Sequence, residues 1–86
     1  MASVAELKAA IDAAVQQISE AQLAVRGAAE TLTGAQQSLA AALDGGASEL
    51  VTTAQAAVAQ GVQELEECLT ITLAAVEQAQ TYTATL

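Results

Sequence analysis

A large aliphatic residue recurs at every seventh position across the first half of the chain: Val4, Ile11, Ile18, Val25, Leu32 and Leu39. Three places after each stands Leu7 and then alanine, at Ala14, Ala21, Ala28, Ala35 and Ala42. A sustained seven-residue apolar period keeps one stripe of a helix facing a neighbour, so the helix winds around a partner helix. Bulk at one core position and a methyl group at the other predicts a seam across which the partner's backbone comes close. The expected packing residues on this arm are therefore Val4, Leu7, Ile11, Ala14, Ile18, Ala21, Val25, Ala28, Leu32, Ala35 and Leu39.

The ends of this helix are written locally. Ser3-Val4-Ala5-Glu6 is a capping box, in which the Ser3 hydroxyl accepts from the Glu6 amide and the Glu6 carboxylate reaches back. Asp44-Gly45-Gly46 predicts the stop, because glycine closes a helix C-terminus in the left-handed conformation and two in succession permit a reversal. Ser48 then caps a second helix, with Glu49 in its first turn, where the helix dipole favours an acid. Two arms of nearly equal length, each about 60 Å at about 1.5 Å per residue, predict an antiparallel hairpin. The expected bounds are one domain over 1–86: helix about 3–43, turn 44–47, helix about 48–82 and a frayed tail over 83–86.

The second arm repeats the pattern less strictly. Val58, Val62, Leu65, Leu69, Thr72, Val76, Ala79 and Leu86 alternate at four and three, beside a small column of Ala54, Gly61, Cys68 and Ala75. Val58, Val62, Leu65, Leu69 and Val76 are the packing residues expected to face the first arm. Bulk on one helix can fill the hollow left by small residues on the other. In that column Cys68 is expected as a buried stand-in for alanine. The run Leu69-Thr70-Ile71-Thr72-Leu73 alternates like a strand, yet the helical period continues on both sides, so it is assigned to the helix. Gly27 and Gly34 lie seven apart, each costing about 1 kcal/mol relative to alanine. They are either a second close-approach surface or tolerated interruptions.

Composition narrows the functional classes. Hydrophobic residues make up 53% of the 86-residue chain and charged residues 14%, with Tyr82 as the only aromatic. That is more apolar surface than two helices can hide. The expected fold class is all-α, a two-helix antiparallel hairpin pairing into a four-helix bundle with alanine-rich seams. The net charge of -8, from ten acids against Lys8 and Arg26, repels phosphate and disfavours nucleic acid and anionic membrane surfaces as partners. The most apolar stretch, Cys68 to Val76, is far shorter than the roughly 20 residues a membrane span requires. A single cysteine forms no internal disulfide, and no signal peptide is visible. The expected location is cytoplasmic, or outside the cell without a classical signal peptide.

Chemistry is poorly supplied. The chain has no histidine, hence no nucleophile–histidine pair, and it lacks a phosphate-binding glycine loop and paired-cysteine zinc spacing. Glu64, Glu66 and Glu67 are the densest acids, but only Glu64 and Glu67 share a helix face, too few oxygens for calcium. No enzyme, cofactor, metal or small-molecule substrate is expected.

An acidic chain of two equal helices around a glycine turn resembles the WXG100 (ESX-type) proteins, helical hairpins that dimerise into four-helix bundles and travel through type VII secretion. The family's Trp-x-Gly turn would fall at Asp44-Gly45-Gly46, where the glycine matches and the tryptophan is missing. The family's secretion signal sets an acid four residues after a tyrosine, and here that spacing from Tyr82 reaches Leu86. The alanine- and glutamine-rich style is also similar to that of short actinobacterial helical proteins and of the helical N-terminal regions of some secreted toxins. Such a resemblance implies a partner, adaptor or targeting role.

From the residues themselves, the expected partner is a second copy, as homodimer or higher, or another helical protein. The competing class is a self-assembling structural protein. Tyr82 and Leu86, at the end carrying both termini, are candidate partner contacts, because an amphipathic tyrosine in an uncovered patch suits an interface. The alternative is a frayed terminus in which the tyrosine only closes the core.

Overall fold

The computed structural model describes residues 3–42 and 49–86. Two long helices, α1 (Val4–Ala42) and α2 (Glu49–Thr85), pack along each other as a rod with extents of 64 × 17 × 15 Å, and no strand occurs among the described residues. The hairpin is antiparallel: Gln22 of α1 bonds Thr72 of α2, while Gln36, further along α1, bonds Gln55, further back on α2. The expected turn at Asp44-Gly45-Gly46, with Leu43 and the Ser48 cap, lies outside the described residues.

At the start of α1 the Ser3 hydroxyl accepts from the Glu6 amide at 3.1 Å, and the Ser3 carbonyl accepts from the Leu7 amide at 2.9 Å. These bonds satisfy amides that the first turn would otherwise leave without a helical partner. The strand-like run from Leu69 to Leu73 is helical. Its threonines turn their hydroxyls back onto the helix, Thr70 to the Glu66 carbonyl at 3.3 Å and Thr72 to the Cys68 carbonyl at 2.8 Å. The same device corrects the expected fraying over 83–86. Helix α2 continues to Thr85, with Thr83 donating to the Ala79 carbonyl at 3.0 Å and the Leu86 amide to the Thr83 carbonyl at 3.1 Å. Thr83 is also half-buried on the line of contact, so packing holds this turn despite its weak intrinsic propensity.

The Gln22–Thr72 bond sets the register. By the helical rise, Ile18 lies level with Val76, Val25 with Leu69, Leu32 with Val62 and Leu39 with Gln55. On α2 the less exposed residues run Val51, Gln55, Val58, Val62, Leu65, Leu69, Thr72, Val76, Ala79 and Thr83, alternating at four and three without a break. On α1 they run Ile11, Val15, Ile18, Gln22, Val25, Ala29, Leu32, Gln36 and Leu39 in the same rhythm. Both helices therefore use a continuous two-column seam. It is thin: among the described residues only Val76 and Gln22 are buried.

Candidate helix-pairing interface

The surface that governs pairing is built from the two seam columns and the residues flanking them. Of the large aliphatic column of α1, Ile11, Ile18, Val25, Leu32 and Leu39 are half-buried against α2, while Val4 is 54% exposed at the end of the rod. Facing them, Val58, Val62, Leu65 and Leu69 are half-buried and Val76 is buried.

The second column of α1 differs from the expected one. Ala14, Ala21, Ala28 and Ala35 are all exposed, and of that column only Leu7 is half-buried. The contact with α2 instead uses residues four places after each large aliphatic: Lys8, Val15, Gln22, Ala29 and Gln36. Positions three and four after a reference residue lie on opposite sides of it, and the helix selects the side that covers more surface. Val15 and the methylene stems of Lys8, Gln22 and Gln36 cover more of α2 than alanine methyls do. Preference for apolar residues at core positions pointed to the alanines and passed over the glutamines. The signal that could have found them was Thr72, a hydroxyl within the opposite seam able to meet an amide.

Gln22 is the polar centre of this contact. Its Nε2 donates to Thr72 Oγ1 at 2.9 Å, and that hydroxyl donates onward to the Cys68 carbonyl at 2.8 Å, with the Leu69 carbonyl 3.2 Å away. The chain of donors runs from one helix into the backbone of the other. Gln36 Nε2 repeats the bridge two heptads on, donating to the Gln55 carbonyl at 3.3 Å. No buried side-chain polar atom among the described residues lacks a partner. A satisfied amide inside an apolar seam favours the one alignment in which its partner is opposite, at some cost in stability relative to leucine.

The flanks of the seam are unlike each other. Leu7, Ala14, Ala21, Ala28, Ala35 and Ala42 occupy one heptad position of α1, and Ala54, Gly61, Cys68, Ala75 and Tyr82 occupy the same position of α2. A two-fold rotation normal to the plane of an antiparallel pair exchanges its helices and keeps each heptad position on its own side. Both columns therefore lie on one flank, and neither contains a charged residue. The opposite flank carries Asp12, Arg26 and Glu66 beside the seam and Glu30 and Glu77 further out. Cys68 is exposed on the small flank, which corrects its expected burial. The hairpin leaves that column to solvent because its seam is filled by Leu65, Leu69 and Thr72.

At the end carrying both termini, Tyr82 is 51% and Leu86 37% exposed, and Leu86 lies level with Lys8 by the register. Along the rod Leu23, Ile71 and Leu73 are exposed, as is Leu50 near the other end. Gly27, Gly34 and Gly61 face open space, with nothing within 4 Å of where a β-carbon would stand, so none serves a close approach inside the hairpin. Gln63, Glu66, Glu67, Thr70 and Ile71 line a shallow depression on α2, and Glu64 takes a bond from Gln60 at 3.3 Å. No group of three or more metal-ligating side chains converges among the described residues, and no described helix is long and apolar enough to cross a membrane.

The chain matches no protein-family model, no curated protein and no solved structure. The assignment below therefore rests on the geometry of the hairpin.

Proposed function

We propose that this chain is a non-enzymatic helical interaction protein, a partner, adaptor or targeting subunit that works by laying its helices against those of another protein. One observation carries the reading. A chain that is 53% hydrophobic, folded as a rod, buries only one apolar side chain and leaves Val4, Leu23, Leu50, Ile71, Leu73, Tyr82 and Leu86 exposed. Exposed apolar surface on this scale marks interaction sites. The seam grammar makes a helix the natural occupant, because a further helix can continue the same pattern on a free flank. The partner contact is assigned to the end with both termini, where Tyr82 and Leu86 present an amphipathic ring and an aliphatic side chain together. The likeness to WXG100 hairpins in length and acidity suggests a type VII secretion or toxin setting, with the missing turn tryptophan setting this chain apart.

The test is affinity purification of the tagged chain from its native cells, in full-length form and lacking residues 81–86. A stoichiometric helical protein recovered with the full-length chain, and lost with the truncated one, is the expected result. Equal recovery by both forms refutes the assignment to Tyr82 and Leu86. Recovery of the chain with itself alone, together with filaments under the electron microscope, refutes the adaptor reading and favours a self-assembling structural protein.

A further inference from the structure

We infer that the uncharged flank of the hairpin, formed by Ala14, Ala21, Ala28 and Ala35 of α1 with Gly61 and Ala75 of α2, is where a second copy of this chain docks to complete a four-helix bundle. The inference rests on the helix-pairing reading and adds the face and its occupant.

Area is the first ground. A compact chain of 8.6 kDa exposes about 4,700 Å² by the scaling of folded monomers. This one exposes 6165 Å². The excess, about 1,500 Å², exceeds the roughly 800 Å² that each partner contributes to a standard stable interface. One docked copy can therefore bury a full interface on this flank and still leave the terminal patch at Tyr82 open for a different protein.

The distribution of charge selects the occupant. A net charge of -8 opposes self-association, yet both columns of this flank are free of charge while acids occupy the other side. Two copies meeting here keep their carboxylates on the outside, toward water. A basic partner would gain nothing from an uncharged face and would be drawn to the opposite flank. The small flank is also of one character on both helices, so a two-fold axis can set it against itself, the isologous contact of a symmetric dimer. Alanine and glycine let the four helices approach closely, while Tyr82 on the same flank and the neighbouring Ile71 supply large side chains at its border.

The inference is tested by sedimentation equilibrium of the purified full chain across concentration and salt, with helicity followed in parallel. The expected result is a two-chain mass at tens of micromolar, becoming more prevalent as salt screens the repulsion between two acidic chains. Ala21→Glu and Ala28→Glu each place a carboxylate in the proposed contact and are expected to raise the dissociation constant by about a hundredfold or more. Ser19→Glu and Thr33→Glu add the same charge on the opposite flank and are expected to leave the mass unchanged. A freed hairpin that melts counts with a folded single chain as loss of the dimer, since the control variants carry equal charge. A single-chain mass for the unsubstituted protein at every concentration overturns the inference. So does equal dissociation by the two pairs of variants. Either failure leaves the adaptor reading standing, because that reading is decided by what the chain brings out of its own cells.

Discussion

Replacing Gln22 with leucine separates what the seam gains from burial and what it gains from alignment. Gln22 is 9% exposed, and its amide makes one neutral bond to Thr72 at 2.9 Å. Such a bond contributes about 0.5 to 1.5 kcal/mol net. Leucine has similar volume, and burying it is worth about 1.5 to 3 kcal/mol. Thr72 keeps its own bond to the Cys68 carbonyl, so no donor is stranded by the change. The expected outcome is a hairpin more stable by about 1 kcal/mol, read as a higher urea midpoint at unchanged slope. The same variant loses its alignment device, and amide NMR spectra should show more than one set of resonances for α2 near Thr72. In a double-mutant cycle with Thr72→Val, the coupling energy should be about 0.5 to 1.5 kcal/mol. Destabilisation by Gln22→Leu of more than about 1 kcal/mol, or a coupling energy near zero, would refute the reasoning.

Further substitutions test the rest of the frame. Gly27→Ala and Gly34→Ala should each raise stability by about 0.5 to 1 kcal/mol in the same denaturation assay, because both sites are helical and face open space. A loss at either site would show that something outside the hairpin needs the room. Ser3→Ala should cost about 1 kcal/mol and speed hydrogen exchange at the Glu6 amide, which the Ser3 hydroxyl now holds. Thr83→Ala removes a back-bonded, half-buried hydroxyl and raises helix propensity, so far-ultraviolet circular dichroism should show no loss of helix. A marked loss would mean that the tail depends on that hydroxyl for more than its local bond.

The hairpin was legible in the sequence where local chemistry and long periodicity agree. Ser3 and Glu6 announced the start of α1, and the spacing of Val58 through Val76 placed the seam of α2 correctly. The side of α1 that turns inward was not legible from hydrophobicity. Alanine is apolar and glutamine is polar, yet glutamine covers more surface, and an amide is admitted wherever the facing residue can bond it. Only the pairing of Gln22 with Thr72, a property of both helices together, decides between the two columns. The exposure of Cys68 follows from that pairing, since its column flanks the seam. The helical tail was hidden for a related reason: Thr83 is a weak helix former in isolation and a seam residue in context. Function was the least legible part, because a surface made for another helix carries no catalytic spacing and shows itself only as apolar area left uncovered.

That uncovered area makes the central claim, that the hairpin is incomplete alone, open to one direct measurement. Thermal unfolding followed by circular dichroism over a thousandfold range of chain concentration reads it without any substitution. If a second copy completes the fold, the midpoint rises steadily with concentration, because association stabilises only the folded state. A sharp transition at one fixed temperature across the whole range would contradict the account and show that two helices suffice.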